Sequence, residues 1–298
     1  MIPNIFLMSS SNRQAGMFVC IIYIELRFPD GPQVHQNGLS TNLGTVQRAT
    51  TAGRHYFHYP DPLIEEILNE DYTQEMVSVT SMINRVQPSP LNTLLNKCLC
   101  RPNPHPEDAV LNKERTLLVA LSTVPYCNAS TTQWSLLQSF YSKVAAVIID
   151  SDSRLSECPR IGSHWQNVGF QGCDPATDFR GTGILGLVQL YSMAINLSEN
   201  KLREVVHLSR TEPNDFPLAV VGINITALLV TRLRTGDLLE SAIICHGYLK
   251  AINKLHEACI LAFCKQWKDE KCTIKDCQHL LNSMSTTFFN SRHISDTI

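Results

Sequence analysis

Between residues 164 and 190 the chain reads HWQNVGFQGCDPATDFRGTGILGLVQL, and this stretch governs how the rest is read. Its first twenty residues crowd together Trp165, Phe170 and Phe179, the glycines Gly169, Gly172, Gly181 and Gly183, Pro175, and the acids Asp174 and Asp178. It then runs without a break into residues 184–197, apolar on nearly every side, as the central helix of a helical core would be. Ordering a long loop costs chain entropy, so one this rich in special residues has something to position. Thr177 or Asp178 is the expected cap of the following helix. That cap would put Arg180 in or just before the first turn, where the positive helix terminus disfavours a cation. A charge set against the local field, with flexible Gly181 after it, points to a chemical task.

Working outward, helical spacing dominates on both sides. Residues 108–124 carry Val110, Leu111, Leu117, Leu118 and Leu121. Thr131 or Thr132 is the expected cap of a second helix reaching about residue 149, with Trp134, Leu137, Phe140, Tyr141, Val144 and Ile148 at helical spacing. A long polar loop is expected from residue 150 to about 177. Downstream, residues 216–233 are apolar but interrupted by Asn224 and Thr226, too short and polar to read as a membrane span. Residues 246–267 are amphipathic, and Thr273 with Asp276 is a capping signal for a last short helix. No alternating apolar–polar hairpin pattern occurs in this half. The expectation is an all-α fold: a single domain of five or six packed helices without a repeat, behind a poorly ordered N-terminal segment.

The first 60 residues are rich in Ser, Asn, Gly, Pro and Thr and read as a flexible segment, with one short strand or helical turn at 17–26. Residues 61–106 read as a helical extension opened by Pro60-Asp61-Pro62, then a linker in which Pro102, Pro104 and Pro106 alternate. The main domain is assigned to 107–285 and a C-terminal tail to 286–298.

Composition narrows the function. The chain has 298 residues, 44% hydrophobic and 17% charged, with a formal net charge of -2. A non-specific nucleic-acid binder needs a basic excess to neutralise phosphates, so that class loses weight. The 11 cysteines are scattered without a CxxC pair, and several sit in apolar helical stretches, where thiols act as small hydrophobes. They read as mostly reduced, in a cytoplasmic protein. Cys264, Cys272, Cys277 and His279 fit no standard metal spacing, so no metal is assigned. The sequons at Asn128, Asn196 and Asn224 matter only in a secreted chain, and the eight apolar residues 17–24 are too few for a bilayer core about 30 Å thick.

The pattern Trp-x3-Gly-Phe-Gln-x3-Pro-x-Thr-Asp-Phe-Arg-Gly-x-Gly-x3-Leu-x2-Leu, from Trp165 to Leu190, resembles the signature of the ELMO domain in the ELMO domain-containing family. Residues 136–146 resemble the helix before that signature; 205–210 and 215–226 resemble the segment after it. The likeness covers roughly 107–285. It implies an all-helical domain that stimulates GTP hydrolysis on small GTPases of the Arf/Arl kind, with the signature arginine, Arg180 here, as an arginine finger. It implies no cofactor beyond the partner's GTP and magnesium. Peripheral membrane association would come through the GTPase, and cytoskeletal association fits the same setting. Gln171, Asp178 and Phe179 either hold the loop or touch the GTPase; Trp165, Gly169, Phe170, Pro175, Thr177, Gly181 and Gly183 shape it.

Blander readings stand beside these. Arg180 can instead close the loop by pairing with Asp174 or Asp178. Trp165 and Phe170 read as core anchors rather than contacts. Gly181-x-Gly183-x-x-Gly186 matches a dinucleotide-binding spacing but lacks the preceding strand, so its glycines read as permitting close helix approach. His164 has no placed nucleophile or metal and reads as a hydrogen-bonded loop residue. The rival function is a non-catalytic helical scaffold that docks on a GTPase or exchange factor.

Overall fold

A computed structural model describes residues 57–84, 109–148 and 158–287. The N-terminal segment to residue 56, the proline-alternating linker, the first part of the long loop (149–157) and the tail from 288 lie outside the described residues. What is described is helical, without a strand among the described residues.

The elements are α1 (Pro62–Leu68), α2 (Thr73–Val79), α3 (Ala109–Leu121), α4 (Thr131–Ile148), α5 (His164–Asn167), a 3-10 turn (Pro175–Gly181), α6 (Gly183–Asn196), α7 (Glu199–Ser209), α8 (Leu218–Thr235), α9 (Leu239–Cys245), α10 (Tyr248–Asp269) and α11 (Cys277–Thr287). The long helices agree with the apolar spacing. The short ones did not stand out, because α2, α7 and α9 each bury few residues: Val79 alone in α2, and Leu202, Val205, Val206 and Ser209 in α7.

Helix α6 is the axis of the bundle. It is buried from Gly183 to Ala194 and packs against α4 on one side and α8 on the other, with α10 across them. Helix α8 is the one described helix long and apolar enough to cross a membrane, but it lies mostly within the core. Burial of this much apolar surface is the main favourable term. Cys259, Cys264, Cys272 and Cys277 are buried in the same cluster. Desolvation raises the thiols of Cys259 and Cys264, the latter to about 12, as expected for inert core residues.

Local chemistry sets the helix starts. The Asp61 carboxylate accepts from Leu63 N and Ile64 N, with Pro62 at the first helical position. Its other oxygen accepts from the Tyr191 hydroxyl at 2.6 Å, and Thr132 Oγ1 donates to Glu66 at 2.8 Å. Helix α1 is thereby tied to α6 and α4 and shares their core through Ile64, Ile67 and Leu68. Helix α4 is capped one residue earlier than expected: Ser130, not Thr131 or Thr132, accepts from Gln133 N. Thr273 and Asp276 do form a capping box, on a short 3-10 turn leading into α11.

Arg115 is fully buried and closes the C-terminal end of α8. Its guanidinium donates to Leu233 O (2.6 Å) and Arg234 O (3.0 Å), where helix carbonyls lack intrahelical partners, and to Asn84 O (2.9 Å) of the helical extension before α3. Arg115→Met keeps the volume but removes the bonds to Leu233 O and Asn84 O and leaves Arg234 O only the Asn84 amide. It is expected to lower unfolding stability by about 3 kcal/mol, read as a lower urea midpoint at unchanged slope.

His256 is a second buried polar group, 1% exposed, whose Nε2–H donates to Gly222 O at 3.0 Å. Desolvation, opposed by that bond, pushes its pKa down to about 4. Between pH 6.5 and 4 the unfolded chain therefore binds a proton that the folded chain rejects. The stability His256 supports is complete above about pH 6.5 and is lost as pH falls toward 4. Denaturation at pH 7.5 and 5 is expected to show a loss on the order of 2 kcal/mol in the wild type, and a smaller loss in His256→Gln.

Candidate functional site

The arginine-bearing segment is built by its own side chains. Asp174 caps the 3-10 turn, accepting from Ala176 N at 3.0 Å, and buried Pro175 supplies the first residue. Thr177 Oγ1 donates to Asp174 O at 2.8 Å, and the Asp178 carboxylate accepts from Gln171 N at 2.8 Å. This corrects the expected cap. Neither Thr177 nor Asp178 caps α6; the residue before that helix is Thr182, with no side-chain capping bond. The placement of Arg180 changes with it. It stands in the last turn of the 3-10 segment, where carbonyls rather than amides run out, so its charge does not oppose the local field as expected.

Aromatic packing holds the turn down. Trp165 is wholly buried, with Nε1 donating to Pro159 O (3.2 Å) and Arg160 O (3.0 Å). Phe170 lies edge-on to it at 5.6 Å between ring centroids, and Phe179 edge-on to Phe170 at 5.8 Å. Tyr126 continues the row, 5.9 Å from Phe179. Phe179 is 1% exposed, which corrects its reading as a partner contact: its ring cannot meet another protein without leaving the core. Asp178 is also turned inward. Burial raises its carboxyl pKa, opposed by the Gln171 amide, Thr177 and the charge of Arg180.

Two glycines seat the segment on its neighbours. Gly169 has φ +91°, and a Cβ there would lie 2.3 Å from Leu218 N; its carbonyl accepts from Val220 N at 3.1 Å. Gly183 has φ +52°, and a Cβ would meet Leu121 O and Val124 O at 2.5 Å. What precedes the Gly181–Gly186 spacing is a 3-10 turn rather than a strand, so it is not a dinucleotide fingerprint; Gly183 serves close packing, whereas Gly181 faces open space.

Arg180 itself is exposed. It makes no hydrogen bond or ion pair with any described residue, and Asp174 and Asp178 spend their carboxylates on backbone amides instead. Gly181 beside it has open space where a side chain would be, as does Gly172; the Gln171 side chain is half-buried. The arrangement can present a fixed cation to another molecule. His164 offers no second chemistry: its Nε2 lies 3.0 Å from Pro159 O and 3.7 Å from Cys158 Sγ, and burial pushes that thiol up to about 11. A thiol at that value is protonated near neutral pH and is a poor nucleophile. Tyr126, whose ring packs on Phe179, was not singled out for the turn, since it lies far off in sequence and shares no local signal with it.

Residues 116–281 match the model of the ELMO/CED-12 family. The chain belongs to that family. It is 27% identical over 214 residues to mouse (Mus musculus) ELMO domain-containing protein 3, covering 70% of this chain and 54% of that protein. It is 48% identical over 71 residues to ELMO domain-containing protein B of Dictyostelium discoideum, 24% of each chain. It is 38% identical over 76 residues to ELMO domain-containing protein 2 of Bos taurus, 26% of each. This ELMO protein spans about half the length of the curated relatives it matches over the longest stretches. No solved structure matches it. The family works generally in small-GTPase pathways.

In this ELMO domain, Asp178→Ala is expected to free the Gln171 amide and loosen the turn at a stability cost of about 1 kcal/mol. Limited proteolysis should then cut within residues 171–181 sooner than in the wild type.

Proposed function

We propose that this ELMO domain is a GTPase-activating protein for a small GTPase of the Arf/Arl kind, inserting Arg180 in trans into the partner's nucleotide site. The observation that carries this reading is the state of Arg180: exposed, unbonded among the described residues, and mounted on a turn whose own acids are already engaged. GTP hydrolysis spreads negative charge over the transferring phosphoryl oxygens, and a planar guanidinium offers several donors to them in a geometry an ammonium lacks. GTP and magnesium come with the partner. The reading entails a cytoplasmic protein that reaches membranes or the cytoskeleton through its GTPase.

The test is capture of Arf/Arl GTPases loaded with GDP, a non-hydrolysable GTP analogue, or GDP with aluminium fluoride. A finger that completes the transition state should favour the aluminium fluoride form clearly over the GTP analogue. A scaffold that docks without accelerating hydrolysis would hold both equally, and that result would end the activator reading.

A further inference from the structure

Among the exposed large apolar side chains of the described residues, only Ile243 and Ile244 adjoin in sequence, at 46% and 51% exposure. They stand on α9, whose Ser241, Ala242 and Cys245 turn inward. Gly247 N donates to Ala242 O at 2.8 Å and closes the helix, so the pair is presented on fixed backbone. Glu240 lies one turn before both, on the same face, exposed and without a hydrogen bond or ion pair to any described residue. Of the charged residues flanking α9 in sequence, Asp237 pairs with Arg232 at 3.0 Å, Arg234 is half-buried and His246 is exposed.

The chain itself is pinned at both ends of α9. Asn84 N donates to Arg234 O at 2.9 Å, five residues before the helix, and Arg115 binds the carbonyls of both. Just past the helix, the Glu114 carboxylate accepts from Tyr248 N at 2.8 Å and Leu249 N at 3.0 Å. Residues 85–108, outside the described residues, therefore depart beside one end of α9. They rejoin α3 within two turns of the residue that grips the other end.

In that stretch Leu91, Leu94, Leu95, Cys98 and Leu99 recur at the spacing of one helix face, and Cys100 falls opposite them. So short an amphipathic run gains stability only by packing its apolar side on something. The chain from Asn84 to Leu91 can reach roughly 24 Å, more than twice the ~10 Å length of α9. Residues 85–106 carry Arg85, Lys97 and Arg101 and no acid, the sign that suits Glu240.

We infer that residues 91–99 seat their apolar face on Ile243 and Ile244, so that α9 is covered by a segment of its own chain. This is independent of the activator function and of Arg180.

The experiment measures how fast Cys98 and Cys100 of the full chain react with N-ethylmaleimide, each relative to the urea-denatured chain and resolved by fragmentation mass spectrometry. Cys98 is expected to react about tenfold or more slowly than Cys100 in the wild type, and as fast as Cys100 when Ile243→Glu and Ile244→Glu are combined. Ile243→Leu with Ile244→Leu should keep Cys98 protected. The core thiol of Cys259 should stay unreactive throughout, which shows that the variants are folded. Leu94→Glu with Leu95→Glu should lower the urea midpoint as the charged α9 pair does, and the two pairs together should lower it no further. Equal reactivity of Cys98 and Cys100 in the wild type overturns the inference, as does protection of Cys98 that survives the charged α9 pair. A dimer in the ultracentrifuge that the charged pair abolishes, with Cys98 unchanged, puts a second copy on α9 and overturns it as well.

Discussion

Arg180→Ala is expected to remove nearly all stimulation of GTP hydrolysis at saturating protein, a fall of about 10³-fold or more, or at least ~4 kcal/mol of barrier. The size follows from what the guanidinium would do. Charge that develops on the phosphoryl oxygens is met by donors already in place, in a site from which water is excluded, so the effect is far larger than for an exposed ion pair. Arg180→Lys restores the charge but not the planar array of donors, and most of the loss should persist. Neither variant should disturb the fold. The side chain is exposed and unbonded among the described residues, so stability should stay within about 0.5 kcal/mol of the wild type. Single-turnover hydrolysis on an Arf/Arl panel, with thermal melts as control, measures both effects. Undiminished stimulation by both variants would falsify the finger assignment.

Trp165→Ala should show the reverse pattern, a loss of fold first and of activity only as a consequence. The indole is wholly buried, meets Trp134, Tyr141, His164 and Phe170 ring to ring, and holds two loop carbonyls through Nε1. Truncation leaves a large cavity and takes from Arg160 O its bond to the indole, a cost of about 3–5 kcal/mol. Trp165→Phe keeps much of the packing and loses the donor, and should fall between. Urea denaturation reads the stability. The two predictions together separate the finger from its mounting: loss of Arg180 spares the midpoint and removes the rate, whereas loss of Trp165 lowers both.

Much of the site was legible before the fold. The density of aromatics, glycines and acids around Arg180 marked it, and the resemblance to the ELMO signature implied a place in small-GTPase regulation. The local detail came out differently where two residues compete for one role. Asp174, Thr177 and Asp178 can all cap, and which one does depends on where the Gln171 amide arrives from seven residues away. Phe179 beside Arg180 looked available to a partner, but the rings of Phe170 and Tyr126 cover it. Those contacts are made across the chain and leave no mark in the spacing around residue 179.

Sequence alone determined the helical class and the position of the central helix, because apolar residues recur at helical spacing and a run that is apolar all round has to be enclosed. It also determined which arginine to examine. Only the tertiary structure decided that Arg180 is left without a described partner, that Phe179 beside it is enclosed, and that Arg115 closes the end of α8. The physical reason is that exposure and pairing depend on which distant backbone groups consume each side chain's bonding capacity. That allocation is settled when the helices pack, not by spacing along the chain.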